Sequence, residues 1–230
     1  MYPKLWYSNV IKIGKLKLKK MFHDRTEAGR MLAAKLKKYQ DDPGIVLAVP
    51  RGGVPLAYIV ARELGFPLEV ILTKKIGHPL QKEYAIGAAS LSDYFVIPHR
   101  DVSEAYIERE LVAVRARLKE MYQKFMGDKI PENIAGKTVI VIDDGMATGN
   151  TIMGTIKLIQ KGRPGKIIIG VPVASKEAVE KLSKEVDEVI VVLIPKVFYG
   201  VGAFYENFNE VSDDEVIFYL EKLRRLRKAG

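Results

Sequence analysis

The sequence predicts an α/β fold, a doubly wound and mostly parallel sheet with helices on both faces. Three observations carry this. Short apolar runs at residues 45–49, 139–142, 166–171 and 188–193 have the length and continuity of strands buried on both faces. Stretches of helical spacing separate them, so strand alternates with helix along the chain. Glycine-bearing turns follow two of the strands directly, Pro50-Arg51-Gly52-Gly53 and Asp143-Asp144-Gly145. In open α/β sheets such turns at the carboxyl ends of strands are where ligands bind.

The chain has 230 residues, 48% of them hydrophobic, no cysteine and a formal net charge of +9. The length suits one domain. The missing cysteines exclude disulfides, thiolate catalysis and Cys-ligated zinc, and fit a cytoplasmic protein. No apolar run reaches the length of a membrane span. The basicity is uneven: residues 1–20 contribute +6 and residues 221–230 contribute +4, leaving the body near neutral at −1. We read residues 1–20 as a basic N-terminal arm and 21–230 as a single domain. Charge runs of this kind are usually solvated faces, so nucleic acid is admitted as a partner through the basic ends but not favoured.

In chain order, residues 1–20 alternate in part (Ile11, Ile13 and Leu16, Leu18 against lysines), which suits a two-faced strand, with Trp6 and Tyr7 as packing anchors. Asp24 and Glu27 open the first helix with capping-box spacing, and Ala28, Met31, Leu32 and Leu36 give it an apolar face. Asp42-Pro43-Gly44 ends that unit. After the strand at 45–49 and the Arg51-Gly52-Gly53 turn, a helix runs from about Val54 to Leu64 and stops at Gly65. Leu68–Leu72 reads as a strand. Thr73–Tyr84 is polar, contains Gly77 and Pro79 and lacks periodicity, so it reads as a long functional or mobile loop. Ala85–Leu91 and Tyr94–Ile97 then form a hairpin about Ser92-Asp93, and His78 and His99 are expected to be structural.

From Ser103 a long helix carries Ile107, Leu111, Val114, Leu118, Met121 and Phe125 in alternating steps of four and three, a single apolar seam. The core of its own subunit is the first expected partner, and a homodimer interface the alternative. After the central strand, a helix at 175–184 lies between the last two strands. Residues 195–211 gather Phe198, Tyr199, Phe204, Tyr205 and Phe208 among Gly and Asn, either a cover over a bound ring or a satellite cluster under a loop. Ser212 with Glu215 caps the last helix.

The central stretch is Val139-Ile-Val-Ile142, Asp143-Asp144-Gly145-Met146-Ala147-Thr148-Gly149-Asn150-Thr151, then Ile152, Ile156 and Ile159 at helical spacing. The turn offers backbone N–H groups at a helix N-terminus, suited to phosphate. Two adjacent carboxylates beside it suit the hydroxyls of a sugar. A Walker A loop needs Gly-x-x-x-x-Gly-Lys-Ser/Thr, which the chain lacks. Gly200-Val201-Gly202 lacks the third glycine of a dinucleotide fingerprint and the helix behind it. A receiver domain's acids are not followed by a Thr-Gly-Asn-Thr cradle.

Residues 143–151 closely resemble the phosphoribosyl pyrophosphate (PRPP) motif of type I phosphoribosyltransferases. The likeness extends to Arg51-Gly52-Gly53, which resembles that family's pyrophosphate loop, and to Thr73–Tyr84, which stands where its mobile catalytic loop belongs. Residues 195–211 stand where its base-selecting hood belongs. Asp24-Arg25-Thr26-Glu27-Ala28-Gly29, Lys75-Ile76-Gly77 and residues 199–206 are similar to a subgroup of uncharacterised substrate. The resemblance implies the family's sheet with a small hood or lid region. It implies transfer of the 5-phosphoribosyl group from PRPP to a nitrogenous acceptor, a nucleobase or related amine, with release of pyrophosphate and with Mg²⁺ as cofactor. Asp143 and Asp144 would hold the ribose hydroxyls. Ala147, Thr148, Gly149, Asn150 and Thr151 would hold the 5′-phosphate. Arg51, Gly52, Gly53, Lys74 and Lys75 would meet the pyrophosphate, whose oxygens also carry the metal with no dedicated protein ligands. Phe204 and Tyr205 would face the acceptor. Purine enzymes of the hypoxanthine-guanine kind carry an acid inside the phosphate loop where this chain has Ala147. General-base help is therefore expected from elsewhere, with Glu83 and Glu206 as candidates, unless the acceptor needs none; Asp143, Asp144, Lys75 and Glu83 are the expected catalytic set. The alternative in another class is a PRPP-sensing, RNA-binding regulator of the same fold with little catalysis.

Overall fold

The structure is a computed structural model that describes residues 21–229. The expectations for Trp6, Tyr7 and the rest of the basic arm lie outside the described residues. Five strands form the parallel sheet: β1 (Gly44–Ala48), β2 (Leu68–Val70), β6 (Thr138–Ile142), β7 (Lys166–Val173) and β8 (Glu188–Leu193), in the order β2-β1-β6-β7-β8. Three more strands, β3 (Lys74–Gly77), β4 (Ala85–Ala89) and β5 (Tyr94–Val96), make a separate antiparallel sheet.

Strand periodicity sorts the core into two layers. On one face Val46, Ala48, Ile140, Ile142 and Ile168 pack under α1 (Arg25–Leu36), α2 (Val54–Leu64), α3 (Glu104–Met126) and α6 (Asp213–Ala229). On the other, Ile45, Leu47, Val139, Val141, Ile167 and Ile169 pack under α4 (Asn150–Lys161) and α5 (Lys176–Leu182). All five residues of β6 are buried, as the unbroken apolar run requires of the middle strand.

The caps follow the sequence. Asp24 accepts the Glu27 N–H at 2.8 Å, while the Glu27 carboxylate takes the N–H of His23, one residue before the cap. Ser212 and Glu215 bond reciprocally at the start of α6. Gly65 ends α2 in the left-handed region at φ 71°.

Two expectations are corrected. Thr73–Tyr84 is not a long loop: its first part is β3, paired antiparallel to β4, with Ile76 fully buried between exposed lysines and Gly77. The polar composition hid a strand whose backbone bonds come from a partner about ten residues away. Residues 78–84 form the closing turn, held by the His78 N–H on the Tyr84 carbonyl at 2.8 Å. The α3 seam also shifts. Leu111, Val114, Leu118, Tyr122 and Phe125 are buried, whereas Met121 is 44% exposed. A straight helix turns 3.6 residues per period, so a strict 3.5 repeat drifts off the face within a few turns. The seam packs on α6, β2 and β3 of its own chain.

Candidate functional site

The strand order reverses between β1 and β6: the chain steps from β1 outward to β2, then returns to place β6 on the other side of β1. Turns leaving adjacent strands in opposite directions open a crevice at their carboxyl ends, where α/β proteins bind ligands. The Pro50–Gly53 turn leaves β1 there, joined by a cis peptide between Pro50 and Arg51, and the Asp143–Gly149 turn leaves β6. They touch. A Cβ on Gly52 would stand 2.1 Å from Asp144 Oδ2, and one on Gly53 would stand 2.5 Å from the Ile142 carbonyl oxygen and 2.7 Å from that of Val49. Only glycine allows this approach.

Asp143 and Asp144 are largely withdrawn from solvent. Burial and the neighbouring Asp144 charge push the Asp143 carboxyl well above the usual aspartate range, and its Oδ1 accepts the Asp144 N–H at 2.8 Å. Burial also raises Asp144, against the pull of Arg25. The Arg25 guanidinium grips Asp144 Oδ2 with Nε at 3.0 Å and Nη2 at 2.8 Å. From the other side the Tyr205 hydroxyl donates to the Asp144 carbonyl at 2.7 Å.

The turn that follows is shaped for an anion. Gly149 adopts φ 69° and becomes the N-cap of α4, so the first N–H groups of that helix face the crevice end of β6. Ala147, Thr148, Asn150 and Thr151 are exposed along it. Its backbone is tied down by Ser175, whose Oγ donates to the Ala147 carbonyl at 2.5 Å, and by a parallel bridge of Met146 with Ala174. Lys181 reaches from α5 to Asn150 Oδ1 at 2.6 Å. A cation thus borders the turn from an element that carried no site motif.

The other expected residues are placed as follows. Arg51 turns toward α6, bonded to Glu210 and 3.5 Å from Asp213. Lys74, Lys75 and Glu83 border an open groove of about 850 Å³ between the small sheet and α4, shared with Asn150 and Thr151. Lys75 pairs with Glu83 at 2.6 Å and holds its carboxyl below the usual range. Glu206 faces His23 Nδ1 at 2.8 Å and raises that imidazole. Phe204 and Tyr205 are buried, 4% and 1% exposed, so neither presents a ring face to an acceptor; Tyr199, 64% exposed, is the accessible aromatic of the segment. A tyrosine whose hydroxyl finds a carbonyl partner is a core residue in amphipathic form. His78 bonds Asp101 at 2.9 Å and packs edge-on to Tyr84 and His99, as expected of structural histidines. In α6, Lys222 covers the Tyr58 and Phe218 rings and Arg224 bonds the Met126 carbonyl, so part of the C-terminal basicity serves packing.

Arg25 escaped the sequence reading of the site, although a signal was present. A cation at the first position of a helix opposes the helix dipole.

Fold and site together define the class: an α/β protein whose sheet switch point carries paired acids beside a helix-capping, anion-shaped turn. The comparisons agree. The phosphoribosyl transferase domain family matches residues 20–207. A relative from Mycobacterium tuberculosis that carries a provisional phosphoribosyl transferase name is 34% identical over 214 residues, 90% of this chain and 48% of its own length. The uracil phosphoribosyltransferase of Mycoplasma genitalium is 41% identical over 56 residues, 24% of this chain and 27% of that protein. Among solved structures, TT1426 from Thermus thermophilus superposes with a TM-score of 0.80 at 35% identity, covering 88% of this chain and 99% of that one. The chain belongs to the phosphoribosyl transferase family. It spans about half the length of the Mycobacterium relative. Among the described residues no helix is long and apolar enough to cross a membrane.

Proposed function

We propose that this chain is a PRPP-dependent phosphoribosyltransferase, which transfers the 5-phosphoribosyl group to a nitrogenous acceptor, a nucleobase or related amine, and releases pyrophosphate. The observation that carries the reading is the contact of the two glycine turns at the switch point, which sets an anion cradle, an acid pair and a second close-approach loop around one crevice. A sugar bearing phosphate at one end and pyrophosphate at the other matches that order.

In this reading Asp143 and Asp144 accept the two ribose hydroxyls. The N–H groups at 147–151, with the Thr148 and Thr151 hydroxyls, hold the 5′-phosphate, supported by Lys181 through Asn150. The Gly52 and Gly53 backbone takes the pyrophosphate, and Arg51 joins it after leaving Glu210 and Asp213. Lys74 and Lys75 approach from the small sheet. The acceptor nitrogen bonds to the anomeric carbon while the carbon–oxygen bond to pyrophosphate breaks. The bonding pair leaves with pyrophosphate, and the nitrogen gives up a proton to a candidate base, Glu83 or Glu206, or to solvent. Positive charge builds on the ribose, so the chain's contribution is positioning and electrostatics rather than a covalent intermediate.

Mg²⁺ fits through the donor. It would be held mainly by the pyrophosphate oxygens and by water, the all-oxygen surrounding this ion prefers. When bound it would offset charge on the leaving pyrophosphate. Glu83, held low by Lys75, is a weak base while that pair persists.

Two measurements test the reading. Asp144→Asn with Thr148→Ala is expected to abolish PRPP binding in calorimetry while circular dichroism stays unchanged. Binding as tight as that of the unaltered chain would refute the site. A panel of purines, pyrimidines and amines with PRPP is expected to yield one acceptor class that releases pyrophosphate only with Mg²⁺.

A further inference from the structure

We propose that Arg25 is a positioning residue that couples the ribose-binding acid to the packing of residues 204–209 beside it. The inference rests on the proposed PRPP reading for its ligand, and on geometry for its mechanism. One guanidinium makes three kinds of contact. Nε and Nη2 both bond Asp144 Oδ2, at 3.0 and 2.8 Å. Nη1 bonds the Asn209 carbonyl at 2.6 Å. The guanidinium carbon lies 4.0 Å over the Phe208 ring. The Arg25 and Asp144 side chains are only 12% and 15% exposed, so these bonds are weakly screened by water.

The geometry assigns a purpose to each contact. Both bonds from Arg25 go to one oxygen, Oδ2, which pins that atom and leaves Oδ1 without a bond from the guanidinium, able to meet a ribose hydroxyl in the proposed reading. The contacts to Asn209 and Phe208 carry the same side chain into the segment that packs beside Asp144. That segment is already joined to the chain just before α1: the Met21 and Phe22 N–H groups both donate to the Phe204 carbonyl at 3.0 Å, Glu206 N–H donates to the Phe22 carbonyl at 2.9 Å, and Asn207 N–H to the His23 carbonyl at 2.9 Å. Tyr205 adds the bond to the Asp144 carbonyl. Residues 22–25, 144 and 204–209 therefore form one continuous bonded unit, and within it the Arg25 side chain touches both the acid and residues 208 and 209. Lysine cannot reproduce this, because a single ammonium lacks the planar fork that serves separate directions. Its position at the start of α1, unfavourable for the helix itself, is explained by the acid it holds.

A sugar hydroxyl that engages Asp144 then bears on Asn209 and Phe208 through Arg25, and a docked 204–209 segment in turn holds Asp144 ready. The two effects are equal in free energy by linkage.

The test uses the full chain with PRPP and Mg²⁺ as the probe, comparing Arg25→Met, Arg25→Lys and Arg25→Met in the Asp144→Asn background. Calorimetry reads PRPP affinity, and amide hydrogen exchange reads residues 204–209. Arg25→Met is expected to weaken PRPP about tenfold, the scale of one charge-assisted hydrogen bond, and to remove the slowing of exchange at 204–209 that PRPP brings. Arg25→Lys is expected to recover most of the affinity, through its charge, while the exchange response stays lost. In the Asp144→Asn background Arg25→Met is expected to change affinity no further. Unchanged affinity with the exchange response intact in Arg25→Met overturns the proposal. If that variant fails to fold, an intact exchange response in Arg25→Lys overturns it. An unaltered chain that binds no PRPP refutes the functional reading instead, and the ligand-free exchange of 204–209 then decides the coupling: faster in Arg25→Met supports it, unchanged overturns it.

Discussion

Asp143 is a carboxyl held where its charge is disfavoured, buried beside a second acid with its proton affinity raised. A group that binds its proton more tightly folded than unfolded stabilises the fold increasingly as pH falls through the raised value, and the gain levels off below the ordinary value of 3.8. At neutral pH the charged form is therefore a cost. Asp143→Asn keeps an acceptor for the Asp144 N–H and is expected to raise unfolding stability by about 1–2 kcal/mol at about pH 7, the difference shrinking as the medium is acidified in denaturant titrations. Glu132, Glu188 and Asp213, each held low by a lysine, titrate in the opposite sense, so the variant must be compared with the unaltered chain at every pH. Gly52 is the neutral counterpart. Gly52→Ala places a methyl against Asp144 Oδ2, the atom Arg25 holds, and is expected to weaken PRPP at least about tenfold in calorimetry while far-ultraviolet dichroism is retained.

Among the elements, α3 and β3 show how local pattern and tertiary contact divide the work. The α3 seam is legible because its apolar residues recur at helical spacing, yet Tyr122 and Met126 join the buried set and Met121 leaves it. Leu118→Ala is expected to cost about 2–4 kcal/mol in chemical denaturation, and Met121→Ala under about 0.5 kcal/mol. In α6, Ser212→Ala removes one half of a reciprocal cap and is expected to cost about 1 kcal/mol by the same measurement. In contrast β3 could not be read from its own residues. Lys74 and Lys75 look like loop residues until β4 lies beside them, and a short strand draws its stability from its neighbour more than from propensity.

For the whole molecule, a ligand that binds only the folded state stabilises it by mass action. PRPP at about a hundred times its dissociation constant is expected to add about 2.7 kcal/mol, seen as a rise in melting temperature that the Asp144→Asn, Thr148→Ala pair abolishes. The outline of that crevice is legible in the sequence. Buried strands declare themselves by continuous apolar runs, and the 143–151 turn by glycine, acids and hydroxyls that no strand or helix interior would choose. These are local choices of backbone and solvation, so the α/β class, the helix caps and the strand–acid–turn–helix motif could all be read along the chain. Other features exist only once the layers are packed: β1 and β6 as neighbours, Gly52 against Asp144, and Arg25 holding that acid across 119 positions of chain. Packing also turned Phe204 and Tyr205 inward and Arg51 toward Glu210. Pairings of that kind depend on which surfaces the packed layers bring together, and no local pattern records a partner so far along the chain.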